Sequence, residues 1–338
     1  MINQIVHVAV HDLVKSESGF GVKLGKGTLA VNKTTQRVVD EMYKLYSRRS
    51  SKTHGKFTAS GEPCATEQNL KSYVEGGGKD FAVLTGSMME TLAKQAGYRG
   101  AAQGGHVFFA HYTRENRHFL LVAIVNDKLG AALTRELDVQ DTQYLDIEGF
   151  RFAGRINVSG WASSEERYIG FLKGKGDVSE YFKEFLGCET TVQERKDTAD
   201  LVAALKAFAD SQKMSAPDRE DFLQRAKSIC DRSAKSRQEL EFEALANELM
   251  PTSPSTLLDV LTDPDLNLND GFIPNRRVLG SLVRFKAKTE LWSLEFERSA
   301  LSGGKVVFDP DRNTLTLTDL PADLSQELRE EFADATDV

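Results

Sequence analysis

Residues 105–126, GHVFFAHYTRENRHFLLVAIVN, decide the fold of this chain. Two apolar, β-favouring runs, 107–112 and 119–126, flank the charged stretch TRENRH, the pattern of an antiparallel pair with a tight connection. The longer run, 119–125, has seven residues, far short of the ~20 a membrane-spanning helix requires. Upstream, residues 5–10 (IVHVAV) alternate with Val6, Val8 and Val10 on one face, which predicts a further strand. A strand over 22–31 follows Gly19 and Gly21. Asn32 and Thr34 or Thr35 offer N-caps for a helix reaching about Arg49, with Val38, Val39, Met42, Leu45 and Tyr46 at helical spacing. Residues 47–63 are polar and contain glycine, which predicts a loop, and helices follow over 66–75 and 80–96 with Gly76, Gly77 and Gly78 between them.

Downstream, strands are expected over 150–158 and 167–172 and a helix over 178–186. From about residue 190 to 249 the sequence turns charged and Ala-rich, with Leu201, Leu205, Phe208, Phe222, Ala226 and Ile229 at helical steps, until MPTSP (250–254) breaks it. The last part alternates: a helix over 277–284, strands over 292–297, 306–308 and 314–318, and a helix from Leu324. The expected class is α+β: an N-terminal sheet-and-helix domain (1–189), then a helix-rich α+β C-terminal domain (190–338) ending in an acidic tail (319–338).

At 338 residues, with 40% hydrophobic and 28% charged, the chain can bury large cores without disulfides or structural metal. Cys64, Cys188 and Cys230 are scattered and odd in number, the usage of reduced thiols. The start, MINQIVHVAVHDLVK, lacks a basic region followed by an apolar stretch, so a cytoplasmic location is expected. The net charge of −7 is unevenly placed: from Asp319 onward seven acids face one base, Arg329, so the tail carries −6 and the rest of the chain −1. Overall acidity therefore does not exclude a nucleic-acid partner, which responds to a local patch.

Catalytic patterns are not found. All six histidines precede residue 119. On a strand, His7 and His11 lie ~13 Å apart, too far to share an ion. His106 and His111 face opposite sides of their strand, and His111 and His118 meet across a hairpin without a carboxylate or thiol to complete a metal site. Gly78–Lys79 is followed by Asp80, and Tyr73 stands where a Walker A loop needs glycine. Asn157 occupies the glycine position of a nucleophile elbow around Ser159. The loop DPDLNLNDG from Asp263 lacks the glycine and glutamate positions of a calcium loop, and DPDRN from Asp309 reads as a turn. No enzyme, metal or cofactor is expected.

Binding patterns are clearer. Between Met42 and Gly61 the bases Lys44, Arg48, Arg49, Lys52 and Lys56 stand without an acid, as do Arg276, Arg277, Arg284, Lys286 and Lys288 between Asn275 and Thr289. Lys173 and Lys175, alternating with glycines, sit where a strand hands over to a helix. Such residues would contact phosphate without reading bases.

A resemblance adds to this. Residues 144–147 (YLDI), 153–158 (AGRINV), Trp161, 167–174 (RYIGFLKG) and 178–188 (VSEYFKEFLGC) resemble the core of the bacterial 37-kDa nucleoid-associated protein family (NdpA type). Similar pieces recur in order: HDLVK from His11, LYS from Leu45, GKF from Gly55, FDP from Phe308, TLTL from Thr314 and LP at 320–321. The resemblance spans nearly the whole chain and is strongest over 143–188. It implies a cytoplasmic protein found with the nucleoid, with no catalytic residues to carry over. The partner would be double-stranded DNA, met directly or through a DNA-handling protein such as a type II topoisomerase, and a homodimer is expected. The alternative is a phage- or plasmid-related protein-interaction factor that does not bind DNA itself.

Overall fold

The 107–125 stretch forms the centre of an eight-stranded sheet. In the computed structural model, residues 3–334 are described apart from 18, 60–62, 100–101, 151 and 174–179. The elements run β1 (Gln4–Ser16), β2 (Gly19–Lys23), α1 (Lys33–Arg48), β3 (Lys52–Phe57), α2 (Ala65–Glu75), α3 (Phe81–Gly97), β4 (Gly105–Arg114), β5 (Arg117–Val125), β6 (Asp127–Leu133), β7 (Val139–Leu145), β8 (Phe152–Asn157), α4 (Val158–Ala162), β9 (Ile169–Leu172), α5 (Glu180–Leu186) and β10 (Cys188–Thr190). Then come α6 (Glu194–Ser211), α7 (Ala216–Ser236), α8 (Phe242–Leu249), α9 (Pro254–Leu261), α10 (Arg276–Leu279), β11 (Arg284–Lys288), β12 (Ser293–Glu297), α11 (Ser299–Ser302), β13 (Val306–Asp309), β14 (Thr314–Leu317) and α12 (Ala322–Asp334). The class is α+β, as expected. Two compact units are present, one of residues 1–197 with 240–272 and one of 198–239 with 273–338.

The first unit holds the large sheet, in the order β10-β3-β9-β8-β5-β4-β1-β2, every neighbouring pair antiparallel. Glu115 and Asn116, with φ of 51° and 61°, make the two-residue turn between Arg114 and Arg117, the left-handed pair that suits the twist of a hairpin. The central strands lack polar alternation because both faces are covered. Val107, Phe109, Leu120, Val122 and Ile124 pack with Leu70 of α2, Leu84, Met88 and Leu92 of α3, and Phe182 and Phe185 of α5. Phe108, Ala110, Tyr112, Phe119, Leu121 and Ala123 pack on the other face with Val39, Met42 and Tyr46 of α1. Of the caps the sequence offers, Asn32 is the one used for α1, its side chain accepting from the amides of Thr34 and Thr35.

In the first unit, two of the assigned segments depart from the sequence reading. Within the expected loop of 47–63 lies β3, an internal strand, whose backbone pairs with β9 and β10. In the expected strand 22–31, regular pairing ends at Lys23 and only an isolated bridge from Thr28 to Ala9 follows.

The acidic loop after α9 is a structural latch. Arg155 of β8, 4% exposed, donates to Asp265 Oδ1 at 2.9 Å and to the Pro264 carbonyl at 2.6 Å. Arg167 donates to Asp197 Oδ1 at 2.6 Å, Asn269 donates to the same oxygen at 3.0 Å, and the His54 amide donates to Asn269 Oδ1 at 2.7 Å. These bonds tie residues 263–270 to the sheet, and a bridge between Leu240 and Phe272 closes the returning segment.

In the second unit, Ser215 caps α7 and Arg237, at φ 56°, ends it. Phe222, Leu223, Ala226 and Cys230 of α7 are buried, and Phe222 meets Phe208 at 5.6 Å between ring centroids. The expected helix over 277–284 is shorter: α10 ends at Leu279, a 3-10 turn covers Gly280–Leu282, and Arg284 already opens β11. The stretch from Asp309 is the expected turn, with Asp309 Oδ1 accepting from the amides of Asp311 and Arg312 at 3.0 and 3.1 Å.

Candidate nucleic-acid interface

The first basic run divides by burial. The N-terminal half of α1 balances its bases with acids: Arg37 pairs with Glu41 at 3.6 Å, and Asp40 accepts from Gln36. The end of the helix carries exposed Lys44, Arg48 and Arg49. Cations there also suit the negative end of the helix dipole. Arg48 lies 3.8 Å from Asp259, and Arg49 donates to the Glu148 carbonyl at 3.1 Å, which fixes the direction of both side chains along the surface.

Lys52 is not part of that surface. It is 2% exposed, and its ammonium donates to the carbonyls of Tyr46 at 3.2 Å, Ser47 at 2.8 Å and Arg49. These are carbonyls that the C-terminus of α1 leaves without helical partners, so the lysine closes the helix from inside. Burial, with the Arg155 guanidinium adding to it, lowers its pKa to about 7. Lys56 is half-buried in β3, opposite Glu189 of β10.

Lys173 joins the first run through the fold. Its amide donates to the Ser51 carbonyl at 2.6 Å, and Leu172 pairs with Lys52, so the end of β9 lies beside the turn that follows α1. Lys173 is exposed there. Lys175 lies outside the described residues.

The second run is less basic in space than in sequence. Arg284 and Lys286 of β11 face β12, where Glu297 and Glu295 stand directly opposite. Arg284 lies 3.2 Å from Glu295 and 3.5 Å from Glu297, and Lys286 lies 3.3 Å from Glu295. Lys288 stands opposite Ser293. Arg276 lies 3.8 Å from Asp231, and Arg277 is exposed beside it on α10. A run without acids along the chain thus has two of its five bases, Arg284 and Lys286, neutralised across its own hairpin, because cross-strand partners come from ten or so residues away.

The histidines are dispersed among several tasks. His11 joins the Gly25 amide to Thr85, and His54 is buried under the latch. His106 sits between Asp12 at 2.6 Å and Asp127 at 3.1 Å. His111 and His118 do meet, at 2.9 Å. Among the described residues no group of three or more His, Cys, Asp or Glu side chains is placed to hold a metal ion, and no helix is long and apolar enough to cross a membrane.

Comparison with known proteins gives a consistent answer. Residues 9–325 match the family described as nucleoid-associated protein YejK. A nucleoid-associated protein of Pseudomonas fluorescens strain Pf0-1 is 29% identical over 331 residues, covering 96% of this chain and 98% of that protein. One from Pseudomonas syringae pv. tomato is 29% identical over 334 residues, covering 96% and 99%. Since the match runs from β1 into α12, through both units, the chain belongs to the YejK family of nucleoid-associated proteins.

Proposed function

We propose that the chain binds duplex DNA through the phosphate backbone, without base specificity, using Lys44, Arg48, Arg49 and Lys173. The observation that carries this reading is the hydrogen bond from the Lys173 amide to Ser51, which sets the end of β9 beside the basic end of α1. Lys44, Arg48 and Arg49 at the end of α1 and Lys173 after β9, from segments over a hundred residues apart, are all exposed. Side chains of this kind position a protein on DNA by replacing condensed counterions.

The test is affinity for random-sequence duplex across a salt series. Each phosphate contact contributes about 0.9 to the slope of log K against log salt. Changing Lys44, Arg48 and Arg49 together to alanine should therefore flatten the slope by about 2–3. An unchanged slope removes this surface from the site.

A second reading, association with the nucleoid through another protein, is favoured by the β6–β7 hairpin. Leu129, Leu133, Leu137 and Val139 are each 65% exposed or more there, an apolar display that suits a protein partner. Failure of the wild-type protein to bind duplex at low salt would select this reading.

A further inference from the structure

At one end of the large sheet, the side chains of β1, β4 and β5 open into a cavity of about 610 Å³. Its walls come from Val6 and His7 of β1, Tyr73 and Val74 of α2, His111, His118, and Val158, Ser159 and Ala162 of α4. Gly77, Gly78 and Lys79, from the turn between α2 and α3, close another side. The size falls within the ~300–1,000 Å³ typical of small-molecule sites, and so does the make-up of apolar walls with a few convergent polar groups.

Two local features shape it. The β1–β4 register shifts between Ile5 and His7, so Val6 is an extra residue, and both Val6 and His7 line the cavity despite being neighbours on a strand. A bulge redirects side chains in this manner. The turn needs glycine: Gly77 and Gly78 have φ of 70° and 73°, a left-handed pair that other residues adopt only with strain.

The polar groups are linked. Tyr73 Oη lies 2.7 Å from His111 Nδ1, and His111 Nε2 lies 2.9 Å from His118 Nδ1. Burial raises the Tyr73 pKa to about 12, and burial with the neighbouring His118 and His7 lowers that of His111 to about 4. Near neutral pH both are uncharged and each hydrogen bond holds one proton. When Tyr73 donates to His111, His111 donates to His118, and His118 Nε2–H is left as a donor. His7 donates through Nε2 to the Gly78 carbonyl at 3.1 Å and stacks on Phe81 at 5.4 Å, which fixes its ring. Both nitrogens of His111 are engaged within this chain of hydrogen bonds. Lys79 adds a cation, and no carboxylate is among the lining residues.

We infer that this cavity binds a small organic anion, an apolar body carrying one carboxylate, sulfonate or phosphate, with Lys79 and the His118 end of the Tyr73–His111–His118 chain holding the anionic head. The apolar body lies against Val6, Val74, Val158 and Ala162. This rests on the cavity alone and is independent of DNA binding.

Titration of the full chain with 8-anilinonaphthalene-1-sulfonate, followed by fluorescence, tests it. N-phenyl-1-naphthylamine, a closely similar apolar body without the sulfonate, serves as the neutral control. One saturable site is expected for the sulfonate, with at least tenfold weaker binding of the neutral dye. Lys79→Met and His118→Leu should each weaken the sulfonate at least tenfold and leave the neutral dye unchanged. Lys79 is exposed, so Lys79→Met should keep the wild-type melting temperature; His118→Leu takes a partner from the buried His111 and should lower it slightly without changing the affinity for the neutral dye. Equal affinity for the two dyes, or sulfonate affinity unaltered in both variants, overturns the assignment.

Discussion

At Lys52 the contrast between sequence and structure is sharpest for a single residue. In the sequence it stands among bases and looks like one more phosphate contact; in the fold its ammonium serves three carbonyls around the end of α1. Position along the chain cannot separate these roles, since a lysine side chain is long enough to turn back toward its own helix. The two roles respond differently to substitution. Lys52→Met retains much of the stem but leaves buried carbonyls unsatisfied, which costs about 1–3 kcal/mol. The melting temperature should fall, while the salt slope of DNA binding stays at the wild-type value. A flattened slope in a variant of unaltered stability would return Lys52 to the interface. Arg155 and Arg167, both in the segment by which the chain resembles its family, donate to Asp265 and to the Asn267 carbonyl and so hold the 263–270 latch.

Elements were legible where burial left a strong pattern. β4 and β5 are buried on both faces and read as continuous apolar runs, and the helices α1, α2 and α3 carry clear stripes. β3 was illegible because its sequence, KTHGKF, is polar, and its burial depends on distant partners. Asn269 receives the His54 amide, and a Cβ at Gly55 would come within 2.0 Å of the Glu189 carbonyl. The β6–β7 hairpin has the opposite difficulty, with apolar residues left exposed and no packed face to set a rhythm. That hairpin is fastened at its base by His106, which is held between Asp12 and Asp127, the first residue of β6; Lys23 lies 3.6 Å from Asp12. Burial opposes the imidazolium, but the hydrogen bonds it donates to Asp127 and Asp12 outweigh it and the His106 pKa is raised. A histidine with a raised folded-state pKa stabilises fully below its unfolded value of about 6.5 and loses that contribution as pH rises through the folded value. The melting-temperature gap between wild type and His106→Gln should therefore be widest at pH about 5–6.5 and close at higher pH. A gap that stays as wide at pH about 9 as at pH about 5 would deny the charge any part in fastening the hairpin.

For the molecule as a whole, the charge distribution matters more than its sum. The family, the α+β class and the acidic tail were readable from the sequence, whereas the return of residues 240–272 to the first unit depends on long-range packing that no local periodicity reports. The tail is largely the α12 helix, where Leu324 and Leu328 remain 41% exposed and Phe332 75%, so little core depends on it. Its chief influence is its field: of a net charge of −7, residues 319–338 supply −6. A phosphate backbone approaching the chain meets that repulsion wherever it comes within a screening length of the tail, about 10 Å at 0.1 M salt and longer below it. Removing residues 319–338 should tighten duplex binding about tenfold at ~50 mM salt, chiefly through a faster association rate. The advantage should shrink as added salt shortens the screening length. An advantage that persists undiminished at high salt would mean that the tail covers the binding surface physically, and weaker binding after truncation would mean that the tail helps to engage DNA instead of repelling it.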